Sequence, residues 1–324
     1  MNVSRHGLVL APMEGVVDDV MRAMLSGIGG LDRCVTEFLR VTDHTLPRRA
    51  FLRNCPELSQ DSRTPSGTPV YLQLLGGQPD ALASNARKAA RLGAAGIDLN
   101  FGCPAKCVNR HDGGSVLLTS PERVEHIVRA VRDAVPVATP VTVKIRLGFH
   151  NTEHFEDIVA RVVDAGATEL AIHARTRSDG YAPPAHWHRL MALHPCPIPL
   201  YVNGEIWSVA DHRQALQDSG CRHAMLGRGL LAQPDLARQI RAAEAGCQEA
   251  PLSWPEVREL LATQFELLAR RYPRRYLGNR TKQWLSYLRR QYPGAQTLFE
   301  TIKREQDPDR IGAALLNKIQ QKAA

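Results

Sequence analysis

The 324-residue sequence lacks several features that would each point to a particular class of protein. No apolar run reaches the roughly 18–20 residues that a membrane-spanning helix needs, so we expect no membrane segment. The apolar stretch near the N-terminus is too short for a signal peptide, and no small-residue cleavage site follows it. The seven cysteines are odd in number and irregularly spaced, which argues against a disulfide framework. We therefore expect a reducing, cytoplasmic location.

Acidic residues are scarce toward the C-terminus. From residue 251 onward the chain has 14 Lys and Arg against 7 Asp and Glu, so this segment carries +7 of the formal net charge of +8. The stretch from Arg270 to Arg290 has eight basic residues and no acidic one, and aromatic residues are interleaved with them. This pattern favours a surface that binds a polyanion such as nucleic acid, although a solvated basic face has the same composition.

Short β-branched runs alternate with longer helical stretches, which is the pattern of a parallel sheet built from βαβ units. The sequence predicts eight strands, at residues 8–11, 33–36, 70–74, 96–100, 141–146, 169–173, 200–203 and 223–227. The clearest predicted helices are 79–92, 121–135, 154–165 and 209–218. Segment 41–69, which contains several prolines, is predicted to be a long loop over one face. A proline-containing break near residues 246–255 separates these elements from a helical remainder that begins near Trp254 and runs to Lys318.

The predicted fold class is therefore α/β, a parallel (β/α)8 TIM barrel followed by a small C-terminal helical-bundle domain. We predict that residues 1–245 form the catalytic barrel and that residues 246–324 form a helical domain that binds RNA. In the alternative arrangement the C-terminal helices merely cap the barrel as part of a single domain.

Polar and glycine residues follow the predicted strands at the end where a TIM barrel builds its active site. The last two strands are each followed by a glycine-rich loop and then a helix, an arrangement that commonly holds a phosphate in this fold. The residues expected to converge on the barrel mouth are Pro12, Met13, Glu14, Gln73, Asn100, Cys103, Lys144, Arg146, His173, Asn203, Gly204, Glu205, Gly227 and Arg228.

Seven motifs, in chain order, resemble those of the tRNA-dihydrouridine synthases: APMEG, QLLG, DLNFGCPAKCVN, VKIRLG, HARTRSDGY, NGEI and GRG. Three more resemble the bacterial subfamily that acts on uridine 16 of tRNA: TEFLRV, SRTPSGT and TKQWLSYLRR. The resemblance runs from Leu8 to the C-terminus. Two residues depart from the pattern, since Phe101 stands where a small residue or cysteine is expected and Cys107 where threonine is commoner. Either could alter the wall around Cys103.

The resemblance implies an enzyme that uses FMN, with NADPH as reductant, to reduce the C5=C6 bond of uridine in tRNA to 5,6-dihydrouridine. It implies hydride transfer to C6 of the uracil and delivery of a proton to C5 by Cys103 as general acid. A thiol with an ordinary pKa of about 8.5 is mostly protonated at neutral pH, as an acid must be. Lys144 would face the N1/C2=O edge of the flavin, where the reduced ring carries negative charge.

The resemblance also divides the candidate residues by role. The flavin ring is expected against Pro12, Met13, Glu14, Gln73 and Lys144. Its ribityl and phosphate end is expected on His173, Asn203, Gly204, Glu205, Gly227 and Arg228. The tRNA is expected to contact Arg40, Asn100, Arg146, Arg274, Arg275, Arg280, Lys282 and Arg289. We expect no metal and a monomeric protein.

Alternatives stay open at the level of the sequence. Cys103 and Cys107 have the spacing of half a metal site, but no second ligand pair has zinc spacing. Lys144 could instead form a Schiff base, and His173 could be a core histidine. The whole protein could be a small-molecule flavin reductase of the dihydroorotate or dihydropyrimidine type, or a non-catalytic tRNA-binding folding factor. The choice between NADPH and NADH does not follow from the sequence.

Overall fold

The computed structural model describes residues 6–316, which form a closed parallel barrel followed by helices. The strands are β1 Leu8–Leu10, β2 Arg33–Val35, β3 Leu39–Arg40, β4 Val70–Leu75, β5 Ile97–Asn100, β6 Val141–Gly148, β7 Glu169–Thr176, β8 Leu200–Asn203 and β9 His223–Leu226. The sheet closes because β1 pairs with both β2 and β9, while β2 pairs with β4. Strands β2 and β3 share one position in the barrel, since both pair with β4. The predicted eight-stranded TIM barrel is confirmed.

Helices lie between the strands and continue after the last one. They are α1 Asp19–Ile28, α2 Arg48–Asn54, α3 Pro79–Arg91, α4 Lys106–Asn109, α5 Pro121–Ala134, α6 Phe155–Asp164, α7 Val209–Ser219, α8 Arg228–Ala232, α9 Leu236–Glu244, α10 Trp254–Arg271, α11 Leu277–Leu288, α12 Pro293–Ile302 and α13 Pro308–Leu316. Short 3-10 turns span Pro56–Ser59, Gly114–Thr119, Trp187–Leu193 and Arg274–Tyr276. Residue 318, to which the helical region was predicted to run, lies outside the described residues.

Glycines end three of the barrel helices. Gly93, Gly166 and Gly220 follow α3, α6 and α7 with φ angles of +88°, +85° and +69°. A side chain with a Cβ is disfavoured in this left-handed region, so glycine allows the chain to leave the helix and enter the next strand. The start of α7 is fixed by Ser208, whose hydroxyl accepts a hydrogen bond of 3.0 Å from the backbone of Asp211.

The predicted loop at 41–69 is partly helical, so that prediction was wrong in part. Helix α2 occupies residues 48–54, and a 3-10 turn follows at residues 56–59. Phe51 is fully buried and anchors the short helix in the core. A helix of seven residues spans only about two turns, which is too short for an apolar period to stand out in the sequence.

The barrel interior is polar at its lower end. Arg33 forms an ion pair of 2.5 Å with Glu169, and its guanidinium lies 4.3 Å from the centre of the Tyr71 ring. Above this level Val9 and Met225 belong to a small apolar cluster that is separate from the main core between strands and helices. The interior is therefore filled by side chains, as in other barrels of eight strands, and the open space lies at the carboxyl ends of the strands.

The C-terminal helices pack directly on the barrel. Trp284 of α11 is buried, and its Nε1 donates a hydrogen bond of 3.0 Å to the carbonyl of Leu231 in α8. Helix α10 contacts α1, and the hydroxyl of Tyr272 lies 3.3 Å from Asp18 at the start of α1. One apolar cluster runs through both regions. The division at residue 245 stays a prediction.

Candidate functional site

A cavity of about 620 Å³ opens at the carboxyl ends of the strands. Its volume is in the range of cavities that bind cofactors and other small molecules. All the residues that the sequence places at the barrel mouth line it: Pro12, Met13, Glu14, Gln73, Asn100, Cys103, Lys144, Arg146, His173, Asn203, Gly204, Glu205, Gly227 and Arg228. A neighbouring cavity of about 690 Å³ shares Cys103 as a lining residue, and the exposed Arg40 lies in its wall.

Cys103 lies in the loop after β5 and is half-buried. Its backbone N–H donates a hydrogen bond of 3.0 Å to Oδ1 of Asn100, and its carbonyl accepts one of 2.9 Å from the hydroxyl of Ser115. Burial raises the pKa of the thiol, and the nearby Cys107 and Glu14 raise it further. The thiol therefore stays protonated at neutral pH, which is the state in which it can donate a proton.

Lys144 projects from the middle of β6 to the floor of the cavity. Its Nζ donates a hydrogen bond of 3.2 Å to Oδ1 of Asn203, whose own amide donates one of 2.7 Å to the carbonyl of Met225. Burial, with a contribution from the charge of Arg146, lowers the pKa of Lys144 to about 8. Among residues 6–316, no carboxylate lies within 4 Å of this amine. A buried cation without an ion pair is suited to an anionic ligand.

His173 lies beside Lys144 and is held as a neutral imidazole. Burial, together with the charges of Arg146, Lys144 and Arg175, lowers the pKa of His173 well below its ordinary value. Its Nε2 lies 3.3 Å from Nη1 of Arg175. The backbone of Gly204 approaches the imidazole so closely that a Cβ at this position would lie 2.7 Å from Cδ2 of His173. Glycine is therefore required where the loop after β8 meets the histidine.

The loops after β8 and β9 pack against each other through glycine. A Cβ at Gly229 would lie 2.1 Å from the carbonyl oxygen of Ile206, so no larger residue fits there. Glu205 has a positive φ of 59° and forms an ion pair with the buried Arg175. Burial would raise the pKa of Glu205, but the hydrogen bonds from Arg175 and Trp207, together with the charges of Arg175 and Arg228, outweigh it and lower the pKa. The two loops are thus fixed before any ligand is bound.

Arg228 lies between two aromatic rings at the edge of the cavity. Its guanidinium is 5.0 Å from the centre of the Tyr181 ring and 5.1 Å from the centre of the Trp207 ring. Arg290, at the end of α11, covers Trp207 at 4.0 Å. Alternating cations and rings therefore connect the barrel loops to the C-terminal helices by cation–π contacts.

Arg146 is buried, and its guanidinium donates hydrogen bonds to backbone carbonyls instead of lying on the protein surface. It donates hydrogen bonds to the carbonyls of Gly102, Thr176 and Gly180 at 2.8, 3.0 and 2.9 Å. It therefore supports the loop that carries Cys103. Its predicted contact with the uracil or its phosphate stays a prediction.

The predicted RNA-binding arginines differ in their surroundings. Arg274 forms an ion pair with Asp309, and Arg280 forms one of 3.2 Å with Asp18. Lys282 donates a hydrogen bond to the carbonyl of Glu305. By contrast, the exposed Arg275 and Arg289 lie over aromatic rings, those of Tyr276 and Phe299, at 4.7 Å each. None of the five lines either cavity among the described residues.

Four residues of the site received no role from the sequence: Arg175, Tyr181, Trp207 and Tyr287. All but Arg175 line the cavity, and Tyr287 is contributed by α11. Arg175 and Tyr181 stand inside the motif HARTRSDGY, so the motif itself carried a signal for them. Tyr287 stands inside the motif TKQWLSYLRR, so this motif carried a signal as well. No local pattern marks Trp207, because its place in the wall depends on the packing of distant segments.

The two departures from the family pattern have different surroundings. Phe101 is buried in the main core and does not line either cavity. Cys107 is exposed and lines the second cavity together with Cys103. The seven cysteines are free thiols. Between residues 6 and 316 no group of three potential metal ligands occurs, and no helix in that range is long and apolar enough to cross a membrane.

Comparison with known proteins agrees with the motifs. The family model described as dihydrouridine synthase matches residues 9–324. The tRNA-dihydrouridine(16) synthase of Shewanella oneidensis is 50% identical over 299 residues, which cover 91% of this chain and 93% of that protein. The protein of the same name from Aquipseudomonas alcaligenes is 47% identical over 309 residues, covering 95% of this chain and 98% of that protein.

Solved structures share the fold at low sequence identity. A 2-naphthoyl-CoA reductase superimposes with a TM-score of 0.55 at 13% identity, covering 74% of this chain and 50% of that chain. DHODH from Eimeria tenella gives 0.51 at 12% identity, covering 74% of this chain and 82% of that chain. These likenesses concern the barrel alone. The family model and the near full-length relatives confirm the resemblance seen in the motifs, and the chain belongs to the dihydrouridine synthase family.

Proposed function

We propose that this protein reduces the C5=C6 bond of uridine in tRNA to 5,6-dihydrouridine, with FMN as cofactor and NADPH as reductant. Family membership supports the reaction class. The observation that carries the proposal is the presence, in one cavity, of a protonated thiol at Cys103 and of the partly buried ammonium of Lys144, which forms no ion pair within residues 6–316. The relatives are named for uridine 16, and we propose the same position for this chain.

The residues of the cavity fit a flavin. Lys144 offers a positive charge to the ring, and Gln73 offers a carboxamide beside it. The phosphate end would lie at the paired loops after β8 and β9, which include Gly204, Gly227 and Arg228. The close approach of Gly229 to the Ile206 carbonyl fixes these loops in place. When bound, the flavin supplies the hydride that adds to C6 of the uracil.

The protein supplies the matching proton. Sγ of Cys103 donates it to C5, and the resulting thiolate recovers a proton from solvent. The uracil would have to enter the cavity that Cys103 and Lys144 both line for this proton to reach C5. Residues 1–245 would carry this chemistry, and residues 246–324 would hold the tRNA, within a single chain.

The proposal is tested by reconstituting the purified protein with FMN and adding NADPH and unmodified tRNA. We expect dihydrouridine at position 16 only, detected by mapping the modified base. A protein that binds no flavin, or that reduces free uridine as readily as tRNA, would contradict the proposal. The same mapping in tRNA from cells that lack the gene tests the target position independently.

A further inference from the structure

A chain of buried polar side chains lies beneath the floor of the cavity. The strand register places Gln73, Asp98 and Thr142 side by side on β4, β5 and β6. Asp98 is 1% exposed and accepts at both oxygens, from the hydroxyl of Thr142 at 2.5 Å and from Nε2 of Gln73 at 2.7 Å. The proposed reaction assigns no role to Asp98.

The chain continues from Gln73 to the loop that carries the thiol. Oε1 of Gln73 accepts a hydrogen bond of 2.8 Å from Nδ2 of Asn100. Oδ1 of Asn100 in turn accepts from the backbone N–H groups of Gly102 and Cys103 at 2.9 and 3.0 Å. Three hydrogen bonds therefore connect the Asp98 carboxylate to the backbone of Cys103.

The direction of these bonds is fixed at both ends. A backbone N–H can only donate, so the oxygen of Asn100 must face Gly102 and Cys103. Its NH₂ group then faces Gln73, which must present oxygen there and NH₂ at its other end. The NH₂ group of Gln73 therefore needs a hydrogen-bond acceptor, and an ionised carboxylate such as that of Asp98 can only accept. A hydroxyl such as that of Thr142 can rotate and fixes no direction.

We propose that Asp98 is a positioning residue, whose carboxylate sets the orientation of the Gln73 and Asn100 carboxamides and through them the backbone at Cys103. The proposal rests on the proposed function only for the role of Cys103 as proton donor. The arrangement of the amides does not depend on it.

The electrostatic surroundings agree with this role. Burial raises the pKa of Asp98 to about 6, while the hydrogen bonds from Gln73 and Thr142 and the charges of Arg33 and Lys144 oppose the rise. The charge of Asp98 in turn contributes to the raised pKa of Tyr71. At pH 8 the carboxylate is ionised and accepts at both oxygens, and below pH 6 it becomes protonated.

The variant Asn100→Asp tests the direction of the chain. It keeps an acceptor for the two backbone N–H groups but turns an oxygen toward the oxygen of Gln73. If Gln73 flips, its oxygen meets the Asp98 carboxylate instead, so one repulsive contact remains while the carboxyls at positions 98 and 100 are both ionised. Adding Asp98→Asn removes the conflict, because the new amide at position 98 can donate to the flipped Gln73 and still accept from Thr142.

The readout is the alkylation rate of Cys103 by iodoacetamide in flavin-free protein, with thermal unfolding recorded in parallel. Trypsin cleaves after Lys106, so the Cys103 and Cys107 peptides are separated and quantified by mass spectrometry. The exposed Cys247 serves as an internal reference. Burying an unsatisfied polar group costs enough that we expect about tenfold faster alkylation of Cys103 in Asn100→Asp at pH 8.

We expect Asp98→Asn alone and the double variant to stay within about threefold of the wild type, as a satisfied buried pair costs little. Thr142→Val is the matched control: it also leaves one oxygen of Asp98 without a donor, but it does not reverse the direction of the amides, so the Cys103 rate should stay within about threefold of the wild type. The alkylation rate of Asn100→Asp, taken as a ratio to the wild type, should approach one as the pH falls from 8 to 5.5, since a protonated carboxyl at either position 98 or position 100 can donate to Gln73.

Two outcomes would overturn the proposal. One is a double variant that alkylates as fast as Asn100→Asp. The other, decisive even if Asp98→Asn fails to fold, is an Asn100→Asp defect that is the same at both pH values. Dihydrouridine formation by the wild type is measured separately. If the wild type forms none, the proposed function fails while the alkylation rates still test the role of Asp98.

Discussion

Lys144 should make flavin binding depend on pH in the alkaline range. Burial, followed by the charge of Arg146, lowers its pKa to about 8 in the free protein. The ammonium would donate a charged hydrogen bond to the bound ring and would be held charged by it, so flavin affinity should fall as the pH rises above this value. At pH 9 roughly a tenth of the lysine is charged, and the Kd should be roughly eightfold to tenfold higher than at pH 7.5. Over this range a phosphate with a second pKa of about 6 stays dianionic.

The assay is quenching of flavin fluorescence on titration with flavin-free protein at pH 7.5, 8.0, 8.5 and 9.0. Lys144→Met should weaken binding roughly 10- to 100-fold at pH 7.5, since a hydrogen bond to a charged group contributes about 1.5–3 kcal/mol. It should also abolish the pH dependence. Lys106→Met, which removes an exposed charge next to the Cys103 loop, is the matched control. A wild-type Kd that stays constant to pH 9, or a pH dependence that persists in Lys144→Met, would refute the reasoning.

Three further predictions concern the thiol, the RNA surface and the helical region. Cys103→Ala should retain flavin and NADPH oxidation, but its rate of dihydrouridine formation should fall roughly 10²–10⁴-fold. The control Cys107→Ala should form dihydrouridine at nearly the wild-type rate. If Cys103→Ala and the wild type form dihydrouridine equally fast, with flavin reduction confirmed in each, Cys103 is not the proton donor. Neutralising Arg275 and Arg289 together should flatten the slope of log K for tRNA binding against log salt concentration, by roughly 0.7–0.9 for each phosphate contact that is lost. Flavin reduction by NADPH should stay intact. An unchanged slope would show that these two arginines do not contact the RNA. Trp284→Ala should lower the free energy of unfolding, measured in urea, by about 3–5 kcal/mol. The control Tyr276→Ala, at an exposed position, should change it by no more than about 0.5 kcal/mol. A similarly small effect at position 284 would show that Trp284 does not anchor the C-terminal helices on the barrel.

The barrel and its mouth were predictable because their signals are local. The β/α units repeat a strand with a polar residue at its carboxyl end, and in three of them a glycine ends the next helix. The parallel register then brings the strand ends together without further information. This is why residues as distant in sequence as Pro12, Cys103 and Gly227 line one cavity.

The parts that were missed depend on contacts between distant segments. Strand β3 has only two residues and exists because Leu39 and Arg40 pair with the end of β4. Trp207 has its place because Glu205 accepts a hydrogen bond of 2.8 Å from its Nε1 and Arg290 covers its ring. Asp98 lies within the motif DLNFGCPAKCVN but has its partners on two other strands. No spacing within one segment encodes such partners.

The net charge of a surface is also hard to predict from sequence. Counting acidic residues along the chain does not show which basic residues they contact in the folded protein. The stretch from Arg270 to Arg290 has no acid of its own, yet Arg271 pairs with Asp19 and Arg280 pairs with Asp18 at the start of α1. These pairs tie the C-terminal helices to the rim of the barrel, beside the loop that carries Glu14. Part of the basic charge therefore holds the helices over the cavity, where Tyr287 completes the wall. If the C-terminal helices hold the tRNA as proposed, less charge is available for it than the sequence count suggests, and we expect that charge on exposed arginines such as Arg275 and Arg289.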